Sequence, residues 1–580
     1  MPQDPSNRDI AAQCGHLADL LEIEGSNTFR VRAWRNAAET ISGLAAPLAG
    51  EARAGADLTR HAHIGKDIAQ AITHYVTEGR LPPLDEVAAR IPPSLADLLG
   101  VEGLGPKGVK ALYDGLGVQS PAQLEEAAAS GRVRQIAGFG ANKEQRILEA
   151  VQRMRANEQP RTRLADAETE AIALRDWLAD TPGVEQTCIA GSYRRRRETV
   201  GDIDLLLAAH DGRAAMERLL AYEGVQRIAS HGTTRSTVIL DSGLQVDVRA
   251  IEPASYGAAL LYFTGSRQHN IALRQRALDY GHKLNEYGLY TDNERVIGDS
   301  ETAIYRALEL EWIAPELRED RGEIEAAAAG RLPQLVTADD IRGNLHGHTD
   351  WSDGKESLAA MVEAARARGY SYIAITDHGP RVRVANGLDG NRLHAQADAI
   401  DSLAREYDDI TIFKGCEVDI LADGQLDLPD DVLARLDIVV CSIHYELRRS
   451  RAEQTERVLR AMENPRFMIW GHPTAREINR REPIDIDLDR CLEAAAARGI
   501  AVEINAQPKR LDLNDANARR ALELGCRLSI NTDAHRSAHF DLLRHGVDQA
   551  RRAWATADDV INTRDIAALR QVLRAPHSSG

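Results

Sequence analysis

The stretch "NLHGHTDWSDG", Asn344 to Gly354, holds His346, His348 and Asp353 where one short loop could aim all three at a single point. Imidazole nitrogens and a carboxylate oxygen converging in this way suit a divalent metal. A His-x-His pair alone carries little weight, because His61 and His63 form a second one. The rest of the C-terminal half gives the first pair its meaning. His378 in "ITDH", Glu417 in "GCEVD", His444 in "CSIH", His472 in "WGHP", and Asp533 with His535 in "NTDAH" each follow the end of an apolar, strand-like run. Buried together without cations, these groups would each carry a heavy desolvation penalty.

A second acidic cluster lies earlier. Asp202 and Asp204 in "GDIDLLLA" are spaced by two, which on a strand puts both carboxylates on one face. Like charges so close repel, and a divalent cation between them is the usual remedy. Asp247 in "LQVDVR", on a later strand, offers a third carboxylate. Gly191 and Ser192 can open a phosphate-cradling turn, with Arg195 beside it.

These residues need elements to hold them. Seven apolar runs, around Asn344 and in "YSYIAIT", "ITIFKGCEV", "DIVVCSI", "RFMIW", "GIAVEIN" and "CRLSIN", each lead toward a helix, which predicts a parallel α/β barrel. In such a barrel the C-terminal strand ends share one mouth, and the ligand-type residues would meet there. Residues 160–250 alternate short strands and helices, as in a small mixed sheet, and 255–318 return to helix with some strand. Residues 1–155 read as Ala-rich amphipathic helices. Within them, "VEGLGPKG" (Gly103, Gly105) and "IAGFGANK" (Gly138, Gly140) read as helix-hairpin-helix turns. Their glycines let amides at a helix start approach a DNA phosphate without base preference. The charged, Pro-bracketed stretch Pro315 to Leu335 suits a linker.

Composition sets the outer limits. At 580 residues and 63.6 kDa the chain exceeds what one core organises, so several domains are expected. No run approaches the ~18 apolar residues that a membrane helix needs. The polar start resembles no signal peptide, and six cysteines without a CxxC pair fit reduced thiols in a cytoplasm. A net charge of −17 excludes a uniformly basic nucleic-acid coat, so any DNA contact must use local patches, backbone amides or bound cations.

Two resemblances sharpen this reading. The Gly-Ser turn, the Asp triad and "YFTGSRQHNIALR" resemble the nucleotidyltransferase palm, and more closely the family X DNA polymerases, from the N-terminus to about residue 318. That resemblance implies two Mg²⁺ held by Asp202, Asp204 and Asp247. It implies deoxynucleotide contacts from Gly191, Ser192, Arg195, Tyr262, Phe263, Gly265, Asn270 and Arg274, with the two aromatics against the sugar. The motifs "HxH", "TDH", "CE", "SIH", "GHP" and "TDAH" resemble the PHP (polymerase and histidinol phosphatase) family over residues 340–575. It implies a trinuclear phosphoesterase: His346, His348, Glu417 and Asp533 on one metal; Glu417, His444 and His472 on a second; Asp353, His378 and His535 on a third. Mn, Zn and Fe all suit such ligands.

The expected architecture is therefore multidomain, α+β and α/β. It comprises an N-terminal all-helical lyase-like domain (1–85), a helix-hairpin-helix subdomain (86–158), a palm with a mixed sheet (159–252), a small α/β nucleotide-selection subdomain (253–318), a linker (319–339) and a distorted (β/α)7 barrel (340–575). The implied function is gap-filling synthesis on gapped, nicked or primer-template DNA from deoxynucleoside triphosphates. A 3'-5' exonuclease accompanies it, with abasic-site cleavage or 3'-end processing as further activities of the barrel, in a cytoplasmic, membrane-free monomer. Two departures stand out: His63 occupies a usual glycine of the first hairpin in "RHAHIGKD", and Ala71 occupies the lyase lysine position, with Lys66 the nearby amine. Two alternatives remain open, a barrel acting on small phosphomonoesters and a palm serving only as a DNA-binding platform.

Overall fold

The computed structural model describes residues 5, 7–42, 48–101, 103–156, 161–292 and 294–574. They fall into two compact units, Met1–Pro160 and Arg161–Gly580. The expected boundary at 158–159 lies outside the described residues.

In the first unit, helices such as Asn7–Glu24, Thr28–Ser42, Lys66–Glu78, Pro106–Leu116 and Ala141–Ala156 close over one apolar core built on Leu17, Leu21, Ile72, Leu112 and Val151. Gly103 (φ 82°) and Gly138 (φ 87°) take left-handed conformations that open the two turns. Gly105 then caps Pro106–Leu116 without any side-chain cap. His63 keeps a glycine-like backbone at φ 62°, so the substitution changes the side chain and leaves the turn in place.

The second unit begins with a mixed five-stranded sheet: β1 (Val184–Ile189), β2 (Asp202–Ala209), β3 (Val225–His231), β4 (Arg235–Leu240) and β5 (Gln245–Ile251), in the order β1-β2-β5-β4-β3. Only β2 and β5 run parallel. Helices Tyr256–Thr264, Arg267–Asp279 and Glu301–Ala307 follow, with a small antiparallel sheet of β6 (Lys283–Asn285), β7 (Gly288–Thr291) and β8 (Glu294–Ile297).

The segment expected to be a linker is instead packed. Helix Glu323–Ala328 buries Ile324 and Ala327 in the core formed by Leu273, Ile304, Tyr305 and Leu317. Its charges find distant partners: Arg318 binds Glu301, and Glu323 accepts from the ring of His269 at 2.7 Å.

Seven parallel strands complete the chain in sequential order: β9 (Gly343–Asn344), β10 (Tyr372–Ile375), β11 (Thr411–Asp419), β12 (Ile438–Ser442), β13 (Ile469–Trp470), β14 (Ala501–Asn505) and β15 (Arg527–Asn531). First and last meet through side chains, with Leu345 N donating to Asn531 Oδ1 (3.0 Å) and Thr532 N to Asn344 Oδ1 (2.8 Å). Just beyond, His348 N donates to Ala534 O at 2.7 Å, so the ring is nearly closed. Strand alternation divides the side chains. Ile373 and Ile375 pack outward among the helices, while Tyr372, Ala374, Phe413 and Val440 turn inward with Ile561 and Leu569. That inner cluster fills the barrel with apolar groups and leaves the strand ends for polar ones.

Candidate active sites

Strand β2 carries Asp202 and Asp204 with Ile203 buried between them, and the parallel pairing sets Asp204 directly beside Asp247 of β5. Asp247 is held by Thr237 Oγ1 (2.5 Å) and Gln245 Nε2 (2.9 Å). Burial, and then the neighbouring Asp202 and Asp247 charges, push the Asp204 carboxyl up to about 7. Partial burial and Asp247 likewise raise Asp202. Three carboxylates in mutual repulsion are a fitting seat for divalent cations.

Gly191 completes the seat. Its φ of 60° is left-handed, and a Cβ there would come within 2.6 Å of Asp204 Oδ2, so no side chain fits. Gly191, Ser192, Arg195, Asp202, Asp204, Tyr262, Phe263, Gly265, Asn270 and Arg274 all line one cleft of about 730 Å³. Phe263 lies beneath the Arg249 guanidinium at 4.5 Å, and Tyr262 meets its ring edge-on at 5.1 Å. Asn270 Nδ2 donates to Tyr262 O (2.7 Å) and Arg274 Nε to Asn270 O (3.2 Å), which fixes both on one face of their helix.

Arg161, Arg197 and Arg267 also line the cleft, so Arg195 is not the only arginine of its run to face it. The run divides by task. Arg194 binds Glu301 and Thr264, and Arg196 binds Glu168. No spacing rule separates four consecutive arginines in a tight turn, and only the fold reveals which way each points.

At the barrel mouth the ligand-type residues come together. His348, Asp353, His378 and His535 form one group whose ligand atoms lie within 4.8 Å; His346, His348 and Asp533 form another, and His378, Glu417 and His444 a third. His472 Nε2 stands 2.9 Å from Glu417. His348 and His378 are thus shared between clusters, where the resemblance kept each on one metal. Glu417 is fully enclosed, and although burial opposes its charge, His444, His346 and His378 hold its carboxyl well below the usual range. Burial also opposes charge on His346, but Glu503, Glu417 and Asp533 outweigh it and raise that imidazole. Both ring nitrogens of His348, Nε2 of His346, and Nδ1 of His378 and His472 are buried without a hydrogen bond. Imidazole nitrogens that lie close to carboxylate oxygens without an aligned hydrogen bond, as His378 Nδ1 does 2.9 Å from Glu417 and His346 Nε2 at 3.4 Å, fit divalent metals well.

The supporting carboxylates escaped the sequence reading. Glu503 on β14 accepts from His346 Nδ1 (2.7 Å) and from the His472 backbone N–H (2.8 Å), and so turns Nε2 of His346 toward Glu417. Asp419 does the same for His444, whose Nδ1 lies 3.3 Å away. The available signal was an acid within each apolar run, Glu503 in "GIAVEIN" and Asp419, two residues after Glu417, in "GCEVD".

Known proteins match this layout in order. The chain fits the family models for a helix-hairpin-helix domain (5–81), a SAM-like helix-hairpin-helix tandem (95–153), the DNA polymerase beta palm (160–249), the DNA polymerase beta thumb (259–319) and the PHP domain (344–507). It is 30% identical over 245 residues to a probable phosphatase of Thermoanaerobacter sp., covering 40% of this chain and 94% of the relative. With the DNA polymerase/3'-5' exonuclease PolX of Bacillus subtilis it shares 36% identity over 572 residues, 98% of this chain and 99% of the relative. Agreement along the whole length of both chains means that this protein belongs to the family of DNA polymerase/3'-5' exonuclease PolX, polymerase beta-like chains that end in a PHP domain.

Proposed function

We propose that this enzyme fills short gaps in DNA and trims 3' ends with a second, separate centre. The observation that carries the reading is the cleft. Two regions remote in sequence, Gly191–Asp204 and Tyr262–Arg274, line one cleft that holds the Asp202 and Asp204 carboxylates, in the same chain as a barrel mouth rich in imidazoles.

Asp202, Asp204 and Asp247 hold two Mg²⁺, and the Gly191–Ser192 turn with Arg195 receives the triphosphate of a deoxynucleotide. Tyr262 and Phe263 lie against its sugar, while Asn270 and Arg274 face base and minor groove. The glycine turns at Gly103–Gly105 and Gly138–Gly140 bind DNA phosphates through backbone amides. In the barrel, His346, His348 and Asp533 with Glu417 hold one metal, Glu417 with His444 and His472 a second, and Asp353, His378 and His535 a third, drawn from Mn, Zn or Fe. Bound divalent ions supply charge neutralisation at the reacting oxygens in both centres. The protein's own part is orientation: Glu503 and Asp419 fix two imidazoles, and Thr237 fixes Asp247.

The substrate is gapped, nicked or primer-template DNA, handled by a cytoplasmic monomer. Among the described residues no helix is long and apolar enough to cross a membrane, and the six cysteines are unpaired. Primer extension and degradation on gapped DNA, in Mg²⁺ and Mn²⁺, test the reading. Asp202→Ala should abolish extension and keep degradation, and His346→Ala should do the reverse; loss of both activities in either variant refutes two separate centres.

A second reading of the barrel, hydrolysis of small phosphomonoesters, draws on the relatives named as probable phosphatases, which match 38–40% of this chain. Comparing a labelled single strand with a small phosphomonoester as substrates separates the two.

A further inference from the structure

The last residue of the barrel helix Leu543–Arg552 reaches into the nucleotide cleft's wall. Arg552 is almost fully buried, and its guanidinium makes three hydrogen bonds. Nη2 donates to Asp515 Oδ2 on the neighbouring barrel helix at 2.8 Å. Nη1 donates to Glu319 Oε1 at 3.0 Å and to the backbone carbonyl of Arg195 at 2.6 Å. Glu319 in turn accepts from Arg195 Nε at 3.1 Å, and Arg195 Nη1 donates to Thr264 O beside Gly265.

Each link has a physical reason. Arg195 follows the four-residue turn Gly191–Arg194, where a carbonyl lacks an onward helical partner, so an outside donor satisfies it. Glu319 carries one charge against three guanidiniums, those of Arg195, Arg552 and, at 3.5 Å, Arg197. Charge-assisted bonds of this type hold planar groups in fixed orientations. Gly265 leaves room for the outcome, since a Cβ there would sit 3.1 Å from Arg195 Nη1.

We infer that Arg552, a residue of the barrel, is a positioning residue for nucleotide binding: through Glu319 and the Arg195 carbonyl it sets the Arg195 guanidinium in the polymerase cleft. The barrel is then a structural part of the polymerase site as well as a second enzyme. This rests on the proposed reading of the cleft as a deoxynucleoside triphosphate site.

The test uses the full chain and measures single-nucleotide insertion into gapped DNA against nucleotide concentration. Arg552→Met should raise the nucleotide KM about tenfold with kcat within about twofold, the size of one lost charge-assisted contact. Arg552→Lys should recover part of that loss, and exonuclease on single-stranded DNA should stay at the wild-type rate. An unchanged KM, or kcat and exonuclease falling together, overturns the inference. Should Arg552→Met fail to fold, Glu319→Gln decides, because it removes the carboxylate from Arg195 and leaves Arg552 bonded to Asp515; here too a wild-type KM overturns the proposal. Arg195→Ala separates the two levels. If its KM is unchanged, the nucleotide reading of the cleft fails, whereas a raised KM in Arg195→Ala with a normal one in Arg552→Met defeats the positioning role alone.

Discussion

Asp204 and Asp247 stand in register across the parallel pair β2–β5, their like charges side by side. Thr237 lies in register with Asp247 from the other side and donates to it, so the acidic cluster is anchored on one flank and repelled on the other. Asp204→Asn or Asp247→Asn should lower nucleotide insertion on the order of 10³-fold, as expected when a charge-stabilising centre loses one anchor. Exonuclease should remain. Paired extension and degradation assays on one preparation of each variant check this.

Glu503→Gln removes the carboxylate that orients His346 while keeping nearly the same volume. Loss of such a supporting partner lowers metal affinity roughly 10–100-fold. The measurement is metal content after dialysis against graded chelator, with polymerase activity as the control that should not move.

Chelation should destabilise the barrel. Buried groups such as Glu417, His348 and Asp533 have been withdrawn from water, and an ion that binds only the folded state adds about 2.7 kcal/mol at a concentration about 100 times its Kd. A strong chelator should therefore lower the thermal midpoint, and Mn²⁺ or Zn²⁺ should restore it. An unchanged midpoint would mean that metal adds nothing to the folded state.

Asp548, on the helix Leu543–Arg552, faces Arg196 at 3.8 Å, with Glu316, Glu168 and Arg551 around it. Burial dominates and pushes its carboxyl up from 3.8 to about 7. A proton held more tightly in the folded chain stabilises the fold at low pH, and that contribution is lost as pH rises from about 4 through about 7. Asp548→Asn, which cannot ionise, should gain stability relative to wild type across this window and hold a constant difference above it. Thermal midpoints of both proteins from pH 4 to 8 provide the test.

Ala71 is buried in the helix Lys66–Glu78, where the resemblance places a lyase lysine. Without an amine at that position no Schiff base forms there. Borohydride trapping on a 5'-deoxyribose phosphate end should give little or no adduct, and any trace should vanish in Lys66→Ala. A robust adduct in that variant would show that another amine serves.

Much of this protein is legible residue by residue. The spacing of Asp202 and Asp204 gives one face because a strand repeats every two residues, and the apolar runs before His378 and Asp533 mark strand ends because buried parallel strands are apolar throughout, whereas Glu417 lies inside its strand, Thr411–Asp419. Those are local rules, so the local sequence determined the Asp pair, the glycine turns and the barrel's alternating pattern. The tertiary structure decided the rest. Which arginine of Arg194–Arg197 faces the cleft, which acid steadies His346, and whether the charged segment after Pro315 floats or packs all depend on partners far along the chain: Glu319 with Arg552, Glu503 with His346, Glu323 with His269. A charge in a sequence reads as solvated, and only the folded chain, by bringing an opposite charge into a dry place beside it, makes it structural.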